Sequence, residues 1–450
     1  MTLSSPGGEG ALAGPVLAPG PGPGHAPPLA VRVPWLVRRL FPALATVGLI
    51  AAGMVSTIWI GPGLVGRHHW SLPDDLWGTL VAAQRLAHLD LGGLYARPTG
   101  LVGFPGAAVI LVPVAVVIGA AGLSLRVPGV YNPHPAAWLV AGPYEIALSA
   151  VALFAADAIA ERLGVSRPKR ALLAAAGAVA LWNVSARWGH PEDAVAVGLL
   201  LLAILALADG RTGRSGWLLG AAVAVQPLVL LALPVVAATV APRRLPGFLG
   251  RAVVPGAVLL AAASAANWPA TATAVTQQPN WPAVDHPTPW TSLAPHLSGG
   301  AVAGGPGRIL AIAVACGCAL ATGRRWRTAR QDAWPGDQRQ AWRGDDRRNG
   351  WSPDLLAELL WWVALALALR SVFESVMVAY YLWPVLAVAL IAASRDWVRL
   401  AATSAAVVTL TFVSQAPWHS PWSWWAPMVA GLALTLFLAR LPLRRRSQPA

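Results

Sequence analysis

Three observations predict an all-α polytopic membrane protein. The chain has 450 residues, of which 56% are hydrophobic and only 12% are charged, whereas soluble domains carry about 25% charged residues. Its mean hydropathy is +0.56. Apolar runs near the roughly 20 residues that cross a bilayer recur along the whole chain, so we expect about 11–14 transmembrane or half-spanning helices.

The expected elements follow one another with little polar sequence between them. Apolar segments are predicted at residues 40–60, 101–122, 136–160, 170–187, 191–209, 215–241, 248–266, 302–322, 353–371, 376–394, 398–416 and 422–441. They form one transmembrane domain over residues 32–442, flanked by a Pro/Gly-rich tail at 1–31 that should be disordered and a basic tail at 443–450. Three polar stretches interrupt the domain, at 61–100, 267–301 and 323–352.

Arginine placement predicts the orientation, because positively charged loops stay in the cytoplasm. The insert 323–352 holds eight Arg against four Asp and should be cytoplasmic, with both tails. The front half obeys the same rule if segments 101–122 and 215–241 are helices broken at Pro113 and Pro227. Loops 61–100 and 267–301 are then external. The net charge of +14 lies mainly in short connections and tails, as the positive-inside pattern requires, so no nucleic-acid partner is expected. Thirty-two arginines against one lysine are typical of a GC-rich bacterial genome, and we expect a bacterial plasma membrane.

The stretch SLPDDLWGTLVAAQRLAHLDLGGLY, residues 71–95, predicts an amphipathic helix in the first external loop. Its apolar face consists of Leu76, Leu80, Ala83 and Ala87. Two interpretations of Asp74 and Asp75 stay open. They offset the dipole of an interfacial helix, or one of them is a general base whose pKa is raised by its neighbour.

The stretch LALRSVFESVMVAYYLWP, residues 367–384, places Arg370 near the expected external end of a span. Glu374 stands four residues later, so one interpretation is a salt bridge at the helix end. The interpretation we favour is a phosphate-binding arginine, with Tyr380 and Tyr381 beside it, because ionisable residues within spans are usually functional.

The stretch RWGHPED opens another apolar helix and carries Arg187, His190, Glu192 and Asp193. Proline at the first helical position, followed by two acids, is a well-formed helix start. Alternatively, these side chains hydrogen-bond the hydroxyl groups of a ligand or hold a cation. Three potential ligands within four residues indicate a metal only weakly, so no metal site is predicted.

Two of the polar stretches have open interpretations. Loop 267–301 carries Trp268, Trp281 and Trp290 among prolines, with Asp285 and His286, and is expected to lack regular structure. Its indoles form an aromatic belt at the bilayer surface or a lid over a ligand. The insert 323–352 is a solvated loop or a docking segment for an envelope complex.

Together these features resemble the GT-C superfamily of membrane glycosyltransferases, nearest the bacterial polyprenyl-phosphate-mannose-dependent branch. The resemblance rests on short stretches: the acids of the first external loop, Gly93-Leu94-Tyr95, Phe104-Pro105, the Gly216–Gly220 stretch before a proline-broken helix, and Arg370 followed by Tyr380-Tyr381. It departs from the pattern at Gln226-Pro227, where related sequences often carry Lys-Pro.

The resemblance implies transfer of a hexose, mannose in that branch, from a polyprenyl phosphate to an envelope lipid or glycan. Asp74 or Asp75 would be the base, and the anomeric carbon would be inverted. Arg370 with Arg308 would bind the leaving phosphate, and His190, Glu192 and Asp193 would orient the sugar, so substrate-binding candidates are Arg187, His190, Glu192, Asp193, Arg308, Arg370, Glu374, Tyr380 and Tyr381. No cofactor is expected. The alternative is a transporter or flippase for a lipid-linked or small polar substrate.

Overall fold

The computed structural model describes residues 35–55, 74–96, 101, 103–123, 125, 135–332, 351–416 and 420–440. The predicted tails at 1–31 and 443–450 and residues 333–350 of the insert lie outside this part. A short N-terminal unit ends at Arg38, and the described part of it is the helix Trp35–Arg38 (α1). The unit from Arg39 onward contains everything that follows.

The described residues of that unit are almost entirely helical. Its helices are α2 (Leu40–Val55), α3 (Asp74–Ala87), α4 (Pro105–Val109), α5 (Val112–Ala120), α6 (Pro135–Ser149), α7 (Val151–Arg162), α8 (Arg167–Trp182), α9 (Pro191–Ala208), α10 (Thr212–Val225), α11 (Leu233–Ala237), α12 (Leu245–Ala266), α13 (Trp268–Gln277), α14 (Gly307–Asp332), α15 (Pro353–Phe373), α16 (Trp383–Ala393), α17 (Trp397–Val413) and α18 (Pro421–Arg440). This confirms an all-α architecture.

Six helical stretches among the described residues are long and apolar enough to cross a membrane. They are Ala137–Arg162, Pro191–Ala208, Pro242–Ala266, Gly307–Thr328, Pro353–Phe373 and Pro421–Arg440. Leu40–Val55, Ala379–Ala393 and Trp397–Val413 are shorter apolar helices. The protein is therefore a multi-pass helical membrane protein, as the sequence predicts.

Helix α9 forms the centre of the bundle. Of its 18 residues, 83% are buried inside the protein, and it packs against α6, α7, α10 and α16. A helix that is apolar on every side must be surrounded by other helices. The N-terminus of α9, which begins at Pro191 as predicted, is thus held by several neighbours at once.

Both proline-containing segments are broken where the sequence indicates. Helix α4 ends at Val109, and α5 begins at Val112 with Pro113 in its first turn. Helix α10 ends at Val225, Gln226 is extended, and a 3-10 turn follows at Pro227–Leu231. Proline lacks the N–H that continues a helix and clashes with the preceding turn, which explains both breaks.

The predicted amphipathic helix is present as α3, and the residues of its apolar stripe Leu76, Leu80 and Ala83 are buried. Its position at a membrane interface stays a prediction. Two expectations about the loops were wrong. Stretch 267–301 contains α13 and a short antiparallel pairing of His286–Pro287 with Val376–Met377. Helix α14 continues to Asp332, ten residues into the predicted insert, because this basic stretch remains helix-forming.

A buried ion-pair cluster joins Arg39, which directly precedes α2, to α7 and α8. The Nε and Nη2 atoms of Arg170 donate to the two carboxylate oxygens of Asp157 at 2.7 and 2.6 Å, and Arg39 Nη1 donates to the same carboxylate at 3.0 Å. Bidentate arginine–carboxylate pairs are geometrically specific, so this cluster sets how the three helices meet. Sequence reasoning did not single out Asp157.

Several basic connections share one end of the bundle. Lys169 Nζ donates to the carbonyl of Arg395 at 2.6 Å, and Arg162 lies 3.8 Å from Asp209. Asp354, at the start of α15, pairs with Arg395 at this same end. Since a helix rises 1.5 Å per residue, the other end of α15, which carries Arg370, lies roughly 25 Å away.

Candidate functional site

The backbone ahead of α9 is shaped to project His190. A π-helical turn at Asn183–Arg187 ends α8, and Gly189 follows with φ of +69°, a left-handed conformation that favours glycine. The amide of His190 then donates to the carbonyl of Val184 at 3.0 Å. Short π-helical turns are frequent at functional sites, and here the turn redirects the chain immediately before the ionisable cluster.

The His190 imidazole lies between two carboxylates from different helices. Its Nδ1 is 2.6 Å from Glu192 Oε1, and its Nε2 is 3.1 Å from Asp75 Oδ2. The ring stacks on Tyr380, with centroids 3.8 Å apart and an interplanar angle of 22°. Three separate predicted motifs therefore converge on one histidine: the start of α3, the start of α9 and the 3-10 turn Ala379–Leu382.

The two carboxylates favour a protonated His190. Burial opposes its positive charge, but Glu192 and Asp75 outweigh burial and raise the pKa of His190 well above its usual value. Burial would raise the pKa of Asp75, yet the hydrogen bond and charge of His190 lower it below its ordinary value. The pKa of Asp75 thus moves in the opposite direction to the one expected of a base raised by its neighbour, and the cause is His190. The side chain of Asp74 lies outside the described residues.

A second cluster surrounds Glu374, which directly follows α15. Arg308 Nε donates to its two oxygens at 3.0 and 3.2 Å, while Arg370 Nε lies 4.0 Å from Oε2. The predicted salt bridge between Arg370 and Glu374 is thus the longer of two contacts, because Glu374 has left the helix and is extended. Arg308 Nη1 also donates to Gln278 Oε1 at 2.6 Å.

Arg370 is largely buried but has few polar partners. Its guanidinium carbon lies 3.6 Å from the centre of the Tyr381 ring, a cation–π contact. Its side chain is 17% exposed, and its buried Nη1 has no hydrogen-bond partner among the described residues. A guanidinium has five N–H donors, so Arg370 retains capacity to bind an anion.

The two clusters line one cavity of about 280 Å³. Its polar lining consists of His190, Glu192, Gln226, Gln278, Asn280, Arg308, Arg370, Glu374, Tyr380 and Tyr381. Its apolar lining includes Leu228, Leu230, Leu231, Ala311, Ile312 and Phe373, from the broken segment after α10 and from α14 and α15. The site thus combines a charged region with an apolar one.

Three of the predicted site residues that the structure describes do not line this cavity. Asp75 is one of them, and it is connected to the cavity through its contact with His190. Asp193 is fully buried, and its Oδ1 accepts a hydrogen bond from Gln226 Nε2 at 2.6 Å. It therefore positions Gln226, the residue before the break at Pro227, which itself lines the cavity. Arg187 belongs to the π-helical turn and is absent from the cavity wall.

Two acids near His190 were not among the predicted site residues. Glu145 on α6 is buried, and neither of its carboxylate oxygens has a hydrogen-bond partner among the described residues. Glu192 and His190 are close enough to interact with it electrostatically. An acid within the apolar run PYEIALSAVALF was the available signal.

Asp285 is the second of these acids, and it comes from loop 267–301. Burial, together with the charge of Asp75, raises the pKa of Asp285 to about 6, and His190 acts in the opposite direction. The loop thus supplies an acid to the His190 cluster. No sequence pattern indicates this placement, because it depends on how the loop folds.

The tryptophans of the same loop have different environments. Trp290 Nε1 donates to the carbonyl of Val372 at 2.8 Å, and its ring packs on Phe373. Trp268 and Trp281 are exposed. Trp290 therefore attaches the loop to the end of α15, next to Arg370, while the exposed pair remains consistent with either an aromatic belt or a lid.

The chain matches neither any model of a known protein family nor any curated protein. Within the described residues, no group of three or more His, Cys, Asp and Glu side chains is arranged to hold a metal ion. The site combines two arginines beside an apolar wall, a histidine between two carboxylates that favour its protonated form, and space for a small polar group.

Proposed function

We propose that the protein is an integral membrane glycosyltransferase of the GT-C type, with its site on the external face of a bacterial plasma membrane. It transfers a hexose, mannose by resemblance, from a polyprenyl-phosphate donor to an envelope lipid or glycan. The observation that carries the proposal is Arg370, which lines the cavity with an unpaired buried nitrogen and only a 4.0 Å contact to a carboxylate. Such a guanidinium suits a phosphate.

The apolar part of the cavity supports a lipid-linked donor. Leu230 and Ile312 line the cavity and are 44% and 55% exposed, so its apolar wall continues onto the outer surface. Ile309 and Leu310 extend that exposed surface along α14. A polyprenyl chain would lie along this surface while its phosphate reaches Arg308 and Arg370. The cavity of about 280 Å³ has room for a sugar head group.

In the proposed reaction the bond between the anomeric carbon and the phosphate oxygen breaks as the acceptor oxygen attacks from the opposite face. Asp75, with 63% of its side chain exposed, accepts the proton of the acceptor hydroxyl. The polyprenyl phosphate leaves with the bonding electron pair and is stabilised by Arg370, an electrostatic contribution often worth about 10²–10³ in rate. His190 and Glu192 orient the sugar hydroxyls.

The test measures transfer of label from polyprenyl-phosphate mannose in membranes containing the protein. We expect Arg370→Gln to reduce transfer about 100-fold or more, with the same amount of protein in the membrane. Arg214→Gln, which removes an exposed arginine away from the cavity, is the matched control and should transfer normally. Full activity in an Asp74→Asn, Asp75→Asn double variant would refute the assignment of the base.

A transporter or flippase is the second candidate, and buried Glu145 is the observation that favours it. Unpaired acids inside spans often belong to proton or substrate pathways. A cysteine-accessibility scan of positions 190–193 distinguishes the candidates. Labelling from one side only supports the enzyme, whereas labelling from alternating sides as substrate is added supports transport.

A further inference from the structure

A second cavity, of about 270 Å³, lies at the end of α15 opposite Arg370. Its lining is dominated by charged side chains, namely Arg325, Arg395, Arg399, Arg440, Asp354 and Glu358. Four arginines and two carboxylates leave this basic cavity with a net charge of +2. It is separate from the site of the proposed transfer reaction.

The two carboxylates of the basic cavity are already engaged. Arg325 Nη1 donates to Glu358 Oε1 at 2.8 Å, and Arg395 pairs with Asp354. The half-buried Arg399 side chain makes no hydrogen bond or salt bridge among the described residues, and Asp396, three residues earlier and outside the lining, acts on it only through its charge. The excess positive charge therefore resides on Arg399 and on one further arginine of the lining.

That further arginine is Arg440, the last residue of α18. Its guanidinium carbon lies 4.1 Å from the centre of the Trp361 ring, so it is held in place without its charge being neutralised. Trp361 is itself positioned by a hydrogen bond from Nε1 to the carbonyl of Leu436, at 2.9 Å. Arg440 is thus pre-positioned beside the cavity.

The basic cavity lies where exposed apolar surface meets charged helix ends. Val398, next to Arg399, is 71% exposed, and Phe437, one turn before Arg440 on α18, is 61% exposed. Residues three apart share a helix face. Lys169 and Trp397 also meet at this end, 6.0 Å apart. A ligand with an anionic head and an apolar tail matches this boundary.

We propose that the basic cavity binds a phosphate group, and that the group belongs to the head of an anionic phospholipid. Arg399 and Arg440 donate N–H groups to the phosphate oxygens, a geometry for which guanidinium is suited. The acyl chains lie against the exposed apolar faces of α17 and α18. Basic pockets between transmembrane helices are known to accept such head groups.

The experiment uses the full-length protein purified in detergent. Native mass spectrometry measures binding of phosphatidylglycerol, with phosphatidylcholine as the neutral comparison. Each arginine near an anionic surface contributes about fivefold in affinity. We expect Arg399→Gln to weaken the tightest phosphatidylglycerol binding event about fivefold, and the Arg399→Gln, Arg440→Gln double variant about 25-fold.

The control removes the same charge elsewhere. Arg214→Gln, Arg243→Gln changes two exposed arginines outside the cavity and should leave the affinity within about twofold. The proposal is overturned if the control and the double variant lose affinity equally, or if neither does. Since Arg440 contacts Trp361, the single Arg399 variant keeps the test valid if the double variant fails to fold.

A second arm separates a lipid from a soluble source of phosphate. Inorganic phosphate is added to the protein, and the unfolding temperature is recorded. A rise in the wild type that disappears in Arg399→Gln, without a preference for phosphatidylglycerol, supports the phosphate site and overturns the lipid assignment. A preference for phosphatidylglycerol without a response to inorganic phosphate supports both the phosphate site and its assignment to a lipid head group.

Discussion

The charge on His190 can be tested by removing its two neighbouring carboxylates one at a time. Glu192 lies 2.6 Å from the ring and has a 9% exposed side chain, whereas Asp75 lies 3.1 Å away and is 63% exposed. A close buried carboxylate shifts a pKa by about 1–3 units. Solvent screening limits the interaction energy of an exposed ion pair to about 0.2–1 kcal/mol, which corresponds to less than one pKa unit. We therefore expect both Glu192→Gln and Asp75→Asn to lower the pKa of His190, and Glu192→Gln to lower it more.

The assay is an NMR pH titration of histidine-ring labels in full-length protein held in nanodiscs. The chain has nine histidines, so the His190 signal is assigned by its absence from His190→Gln. Asp209→Asn, at the distant end of the bundle, is the control and should leave the titration unchanged. The reasoning fails if Asp75→Asn produces the larger shift, or if neither variant lowers the pKa.

The same shift predicts how stability depends on pH. The pKa of His190 is raised in the folded protein, so protonated His190 contributes to the free energy of unfolding. This contribution is fully present at pH values below the ordinary pKa of imidazole and is lost as the pH rises through the raised pKa. The unfolding temperature should therefore fall on the alkaline side. The fall should be smaller in Glu192→Gln, which has less of this contribution to lose.

Three other predictions concern different parts of the molecule. Asp157→Ala should cost about 3–5 kcal/mol in unfolding experiments, since it breaks a buried ion-pair cluster, whereas Asp209→Ala should cost under about 1 kcal/mol because its pair is partly exposed. Gly307→Ala should destabilise by about 1–3 kcal/mol, measured by thermal unfolding, because the added Cβ would lie 2.0 Å from the carbonyl oxygen of Phe373. If the charge of Asp285 supports the neighbouring Asp75 and His190 pair during the proposed transfer, activity should decline below about pH 6 as Asp285 becomes protonated, and Asp285→Asn should alter that limb of the pH–rate profile. An unchanged limb would show that the charge of Asp285 does not affect transfer.

Features that depend on neighbouring residues could be predicted from the sequence. The start of α9 at Pro191 and the breaks near Pro113 and Pro227 follow from the local geometry of proline. The apolar runs likewise predict helices of membrane-spanning length. The site residues Arg370 and His190 could be singled out because ionisable groups beside apolar spans are costly to bury.

Features that depend on packing could not be predicted. His190 and Asp75 are 115 residues apart in the sequence, and Arg308 and Glu374 are 66 residues apart. Sequence spacing favoured Arg370 as the partner of Glu374, but the end of the helix at Phe373 turned that carboxylate toward Arg308. Spacing along a helix predicts a contact only while the helix continues.

Sequence alone thus determined the class of protein, its helical segments and where they break, because hydropathy and proline act locally. Only the tertiary structure decided which charges meet. It placed Asp75 against His190, which lowers the pKa of this carboxyl, and it brought Asp285 into the same cluster. The reason is physical: a pKa depends on burial and on the charges around a group, and both are set by how helices and loops distant in sequence pack together.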